Sequence, residues 1–379
     1  MGVITRGIAN NILSGGTIDA TDGLSGTVSA SNITDSSISS VTAFPAAAGD
    51  FIQSTASDPS PATIGDVWYN NATYAFKVAT VSTVGTFASG GSLPVALYGT
   101  MAAGTQTAAV NSGGYIGSGP TAAGKRATTN EYDGTSWTSS SDMNTARFNG
   151  RGTGIQTAAL AISGQNPNNP LLSIDSESYN GTSWTNTPNL NTNHQSGGAS
   201  GTQTAALMFA GGNPITAATE SWNGSSWTSL PATMNTARMY LAGCGTQTSA
   251  LGFGGLLNFN SAPDYPVTAA TESYNGTSWT TVNSLNTSRG YLAGAGTQTA
   301  AVAFGGWAPP GGILLSSTEL WNGTSWTSNP TGLSTARNLL AGVGTQTLAL
   351  AIGGNSPVSA ATEEWTGPGS PVTKTLTTS

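Results

Sequence analysis

Catalysis and metal binding need side chains that titrate, attack or coordinate, and this 379-residue chain carries few of them. It has one histidine, His194, and one cysteine, Cys244. That excludes an internal disulfide and a cysteine-based metal site. No G-x-S-x-G, P-loop, H-E-x-x-H or calcium-loop motif occurs, so neither a metal nor a cofactor is expected. Two carboxylates brought together from distant segments could still form a glycosidase pair. Asp142, Asp175 and Asp264 are the candidates, because they break the repeat described below. We expect no enzymatic activity.

The charged residues that remain are placed periodically. Glu177, Glu220, Glu272, Glu319 and Glu363 each stand two residues before an aromatic, and Arg147, Arg238, Arg289 and Arg337 recur at one equivalent position. Period-two alternation along a strand puts each Glu on the same sheet face as its aromatic, where a buried carboxylate needs a partner. A Glu–Arg pair repeated around the molecule is the expected solution. An anion-binding arginine cluster is the functional alternative, and once-per-repeat placement favours the structural role. His194 falls in an arginine's slot, since LNTNH stands where other repeats read NTAR. Cys244 stands where others have Ala or Val and reads as a small buried residue.

The elements that position these residues follow from an internal repeat of about 47 residues. A Thr-Gln-Thr or close variant starts at Thr105, Ile155, Thr202, Thr246, Thr297 and Thr345. An aromatic follows each (Tyr132, Tyr179, Trp222, Tyr274, Trp321, Trp365), and the first five are followed by Trp137, Trp184, Trp227, Trp279 and Trp326. Between them lie Asp133-Gly134, Asn180-Gly181, Asn223-Gly224, Asn275-Gly276 and Asn322-Gly323, the strongest short-range hairpin pattern. Four of these turns also match the N-glycosylation sequon, but the turn explains them. Each unit therefore reads as four short strands, and six units imply radial closure into a propeller. The first unit has Leu97 in place of the Arg, and the sixth loses the turn and tryptophan after Trp365. Either 83–93, with Phe87 standing in for the tryptophan, or 372–376 completes the sixth blade; the C-terminal strand is preferred.

The connection between second and third strands varies most, as in 115–127, 165–175, 256–269 and 307–317. These loops emerge on one face and would carry Tyr115, Lys125, Arg126, Phe259, Tyr265 and Trp307 as candidate ligand-binding residues. Exposed aromatics there suit stacking on sugars. The alternative is that they tuck over the central channel as plugs.

Net charge is −7 with only ten Lys and Arg, which speaks against nucleic acid or an anionic membrane as partner. No apolar run reaches transmembrane length, and the first residues lack the pattern of a signal peptide or of a myristoylation site. Residues 1–50 show short Ile/Val/Thr runs without a core pattern.

Gly211-Gly212, Glu220, Trp222, Trp227 and Arg238 together resemble the kelch repeat, over roughly residues 95–379. The resemblance implies an all-β fold, a six-bladed kelch-type β-propeller; residues 1–94 are expected to precede it as an extended anchoring segment with a small β-hairpin near 66–88, in likeness to the starts of phage fibre and tail proteins. Copper oxidases on such propellers need two histidines, which this chain lacks. The DGTSW turn at 133–137 resembles the aspartate-box turn of sialidases but is one residue short. The phrases NTAR, LAGxGTQT, AFGG and ESYNGTSW, with D-x-W-Y-N at 66–70, resemble kelch-like virion proteins of tailed phages. That resemblance implies a virion location, a tail appendage before the capsid surface. It implies attachment to other virion proteins through 1–94, a homo-oligomer (a trimer by preference) and a propeller that binds a host-surface glycan or protein. A decoration that braces the particle, and a hydrolase of surface polysaccharide, are the alternatives.

Overall fold

A computed structural model describes residues 53–59, 66–117, 124–166, 173–258, 265–369 and 371–375. The chain divides into Val84–Gly367 and a second unit made from the flanking segments Met1–Thr83 and Pro368–Ser379. Among the described residues no helix is long and apolar enough to cross a membrane.

Val84–Gly367 is a six-bladed β-propeller, each blade a four-stranded antiparallel sheet with strands a to d running from the axis outwards. Blade 1 comprises Met101–Gly104, Ala109–Ser112, Thr129–Tyr132 and Trp137–Ser140. Blade 2 comprises Arg151–Ile155, Ala158–Gly164, Ser173–Tyr179 and Trp184–Thr187. Blade 3 is Gly198–Gly201, Ala206–Phe209, Thr219–Trp222 and Trp227–Leu230; blade 4 is Ala242–Gly245, Ala250–Phe253, Thr271–Tyr274 and Trp279–Val282. Blade 5 is Ala293–Gly296, Ala301–Phe304, Thr318–Trp321 and Trp326–Asn329. Blade 6 is Ala341–Gly344, Leu348–Ile352, Thr362–Thr366 and Thr86–Ser89.

The sequence of each strand matches its radial place. Strand b lies inside its sheet with both faces packed on neighbouring blades, and in blades 3 to 5 it is an uninterrupted small or apolar run, buried throughout. Strand d is outermost, and in blades 1 to 4 only its tryptophan is buried. Strands a converge on the axis, and one position in each of them holds only Gly or Ala: Ala102, Gly152, Ala199, Gly243, Gly294 and Gly342. A Cβ on Gly152 would fall 2.4 Å from Ala102 O of the neighbouring a strand, and one on Gly243 2.9 Å from Ala199 N. Each apolar cluster is shared between adjacent blades, so the core is a set of inter-blade layers.

Two polar contacts repeat around these layers. In every repeat the turn glutamine reaches back to two carbonyls of the preceding blade. Gln247 Nε2 donates to Ala206 O (3.1 Å) and Trp222 O (2.5 Å), and Gln156, Gln203, Gln298 and Gln346 do the same one blade on. Gln106 closes the circle by donating to Ala349 O and Trp365 O of blade 6. The strand-d indoles donate likewise: Trp137 to Thr362, Trp184 to Thr129, Trp227 to Ser176, Trp279 to Thr219 and Trp326 to Thr271.

The preferred closing strand is corrected. Thr86–Ser89 pairs antiparallel with Glu363–Thr366 as strand d of blade 6, whereas Pro371–Thr375 pairs with Ala75–Val81 in the other unit. Phe87 lies opposite Trp365 in the register that places a tryptophan opposite the aromatic in the other blades. Its ring sits 5.4 Å from Phe304, in the slot where Trp279 meets Phe209 and Trp326 meets Phe253. The aromatic slot therefore selects the strand, and the propeller begins near residue 84 rather than 95 and ends at 367 rather than 379. The hairpin expected near 66–88 spans Val67–Asn70 and Ala75–Val81 only. Its sheet adds Gln53–Thr55 and Pro371–Thr375. Asp58 accepts hydrogen bonds there from Asn70, Lys77 and Trp68, and these hold its carboxyl below the usual range. Of the expected anchoring segment, 1–94, residues 1–52 and 60–65 lie outside the described residues.

Phenylalanine cannot donate, so the hydroxyl of Thr318, the blade 5 counterpart of Thr271, is buried without a partner. Phe87→Trp should supply the missing bond and raise stability by about 1 kcal/mol, read as a higher midpoint in urea unfolding. A lower midpoint would show that the slot cannot hold an indole.

Candidate functional site

The repeated acidic residues clamp the linkers between blades. Glu177 accepts from the backbone N–H groups of Asn144 and Thr145 and from Asn144 Nδ2, and it forms an ion pair with Arg147 Nη2 at 3.3 Å. Glu272 takes Asn235 N, Thr236 N and Arg238, and Glu319 takes Asn286 N, Thr287 N and Arg289 at 2.7 Å. Glu363 takes Ser334 N and Arg337. In blade 3 His194 fills the arginine slot, with Nε2 3.2 Å from Glu220 and Nδ1 2.6 Å from Ala210 O. Both partners of every clamp are buried. Burial pulls the Arg238 guanidinium down to about 10, against the attraction of Glu272.

Blade 1 shows what replaces the clamp. Asn130 stands in the Glu position, Leu97 in the Arg position, and Pro94, which has no N–H, in the position of Asn144. All three parts are exchanged together, so no charge is left buried alone. Removing one member of a buried ion pair costs about 3–5 kcal/mol, whereas an apolar replacement of the whole pair is often neutral.

A second feature of the linkers surrounds the axis, where they enter the a strands. Gly99, Asn149, Ser196, Tyr240, Tyr291 and Leu339 occupy one equivalent position per blade, and all have φ between 53° and 61°. Each donates its N–H to the carbonyl of the same position in the preceding blade, from Asn149 N to Gly99 O (2.7 Å) round to Gly99 N to Leu339 O (2.8 Å). These six bonds form a closed ring about the axis. For the five non-glycine residues a left-handed conformation costs on the order of 1 kcal/mol each or more. The ring of hydrogen bonds and the packing of the a strands hold it.

The side chains above this ring are aromatic and basic. Tyr240 and Tyr291 pack at 4.1 Å between centroids, and Tyr291 meets Trp307 edge-on at 6.2 Å. Arg151 crosses from blade 2 and donates to Gly150 O (2.9 Å), Leu241 O (3.2 Å) and, more weakly, Ser196 O (3.5 Å). Asn149 Nδ2 donates to Tyr240 Oη at 3.3 Å. Burial raises the phenols of Tyr240 and Tyr291 above their ordinary value.

The expected face of exposed aromatic loop residues is corrected. Tyr115 and Lys125 are buried, Trp307 is 9% exposed, and Arg126 and Tyr265 are half-buried. Phe259 lies outside the described residues. Tyr115 packs with Tyr98 and Phe148, and Lys125 Nζ lies 5.6 Å from the Phe148 centroid while donating to Asn166 O at 2.7 Å. Burial lowers the Lys125 pKa. Trp307 joins a short hairpin, Trp307–Ala308 with Ile313–Leu314, and lies between Tyr291 and Tyr265. The loops fold inward because their backbones bridge to the linkers, as Tyr98 does to Tyr115 and Gly290 to Trp307. Trp307 is thereby brought against Tyr291, which packs on Tyr240, and the sequence reading singled out neither tyrosine. The available signal was the position two residues after the repeated Arg, which differs in almost every unit.

Of the candidate acids, Asp175 accepts from Asn166 and Ser173, Asp142 is exposed, and Asp264 lies outside the described residues. Among the described residues no group of three or more His, Cys, Asp and Glu is arranged to hold a metal ion. Cys244 is buried, and burial pushes its thiol up to about 12.

Two outcomes follow from the clamps. Arg238→Met alone should cost about 3–5 kcal/mol, and the blade 1 set Asn235→Pro, Arg238→Leu and Glu272→Asn together should cost less, measured by denaturant unfolding. A larger loss for the set would show that the ion pair itself is required. Burial raises the pKa of Glu220, but the hydrogen bonds from His194 and Asn191 outweigh it and leave the group below the ordinary value of 4.5. A carboxyl lowered by folding stabilises above its ordinary pKa and loses that contribution as pH falls. Stability should therefore drop on acidification below about pH 4.5, with a shallower slope in Glu220→Gln; an unchanged slope would refute the assignment.

No protein-family model matches the chain, and a comparison with curated proteins finds no match.

Proposed function

We propose that the chain is a non-enzymatic virion component of a tailed phage. The segment before the propeller, residues 1–83, attaches it to other virion proteins, and the propeller faces outward as a head that binds a host-surface glycan or protein, in a homo-oligomer, a trimer by preference. One observation carries the binding reading: the blades differ from one another mainly at one end. The turns from a to b repeat as Gly-Thr-Gln-Thr or a near variant, and the c-to-d turns repeat as Asn-Gly or Asp-Gly in five blades. The linkers and b-to-c loops, which bridge to one another, differ in length and in side chain. A rigid scaffold that varies at one end suits recognition there. The virion location rests on the resemblance of the repeat phrases to kelch-like virion proteins.

The burial of Tyr115, Lys125 and Trp307 favours a second reading, a decoration that braces the particle without binding the host, because those side chains serve packing. The purified full chain, added to cells before the parent phage, should slow adsorption in a dose-dependent way. Antibody labelling of intact particles without any effect on adsorption would select the bracing role. Neither labelling nor blocking would remove the virion reading.

A further inference from the structure

Arg151 differs from the buried arginines of the clamps. Each clamp arginine faces a carboxylate, whereas among the described residues no carboxylate oxygen lies within 4.0 Å of Arg151. It lines a cavity of about 20 Å³ on the propeller axis together with Thr100, Asn149, Tyr240, Tyr291 and Leu339. Arg151 keeps some exposed surface, yet burial pulls its pKa down to about 10. The guanidinium stays charged at neutral pH, and a charge without a counter-charge in such a place is unfavourable.

The lining is suited to an anion. Every polar side chain in it can donate: the guanidinium, the Asn149 amide, the two phenols and the Thr100 hydroxyl. Thr100 is 6% exposed, and its Oγ1 has no hydrogen-bond partner. No carboxylate lines the cavity to repel a negative charge. Its volume is that of about one water-sized occupant, which fits a single small anion. We propose that the axial cavity binds a monoatomic halide, chloride under ordinary conditions, as the counter-ion of Arg151 with Thr100 and Asn149 as neutral donors. The ion would join blades 1 and 2, which supply these donors, to blade 4, which Arg151 reaches through Leu241 O.

Thermal unfolding of the full chain, with bromide or chloride exchanged for gluconate at constant ionic strength, tests this. The midpoint should rise saturably, by roughly 2 °C between about 1 and 100 mM halide, and Arg151→Met should abolish the dependence. Should that variant fail to fold, Thr100→Val must weaken it. A bromide-soaked crystal should show an anomalous peak in contact with the Arg151 guanidinium. Equal midpoints in halide and gluconate, or a cavity that holds water alone, would overturn the proposal. A peak without halide-dependent stabilisation would do so too, as an adventitious ion only.

Discussion

A ring of blades has no end to fray from, provided that the contact between one blade and the next is also made between the last and the first. The glutamine staple meets that condition in this protein. A single side chain from the a-to-b turn satisfies two carbonyls of the preceding blade, and Gln106 makes the bond across the junction of blades 6 and 1 as its counterparts do elsewhere. Because the apolar clusters are shared between blades, no blade has a complete core of its own. Stability then resides in the interfaces, as in other arrays of units that bury their faces only against neighbours. Closure by Thr86–Ser89 belongs to the same logic. A strand from one end of the propeller segment completes the sheet built by the other, so the last interface forms only when the chain's two ends meet.

The scarcity of charge gives the buried ion pairs their meaning. With 7% charged residues, most of the arginines and a large share of the glutamates are inside. Each carboxylate is held by linker N–H groups as well as by its Arg or His, which compensates the desolvation that an ion pair alone would not recover. Asn130, Leu97 and Pro94 in blade 1 are an internal control: donor, acceptor and charge are replaced as a group. The acidic side chains left over serve neighbouring blades, as Glu131 does in accepting from the Tyr179 hydroxyl and Glu364 from that of Tyr132. Such interlocking leaves little of the blade interior for chemistry and moves any recognition to the end where the blades differ.

At that end the backbone takes on the constraint. Six left-handed residues donate to one another in a circle, and tyrosine and leucine accept a conformation they disfavour because it satisfies those N–H groups at the axis. The side chains they carry, with Arg151 and Trp307, fill the mouth of the channel.

Much of this was legible from residue spacing. Thr-Gln-Thr, the aromatic, Asn-Gly and the tryptophan recur because each is bound to a place in a four-stranded unit, and period two puts Glu220 and Trp222 on one face. The need of a buried Glu for a partner, and the repeated Arg or His194 as that partner, follow from charge alone. Three things waited for the tertiary structure. The choice between two closing strands depended on which one could place an aromatic opposite Trp365, a comparison of slots rather than of propensities. The inward turn of Tyr115 and Trp307 depended on bridges to linkers far away in sequence. The axial site combines Thr100, Asn149, Arg151 and Tyr240 from three blades, and side chains that meet only at the axis leave no trace in local spacing.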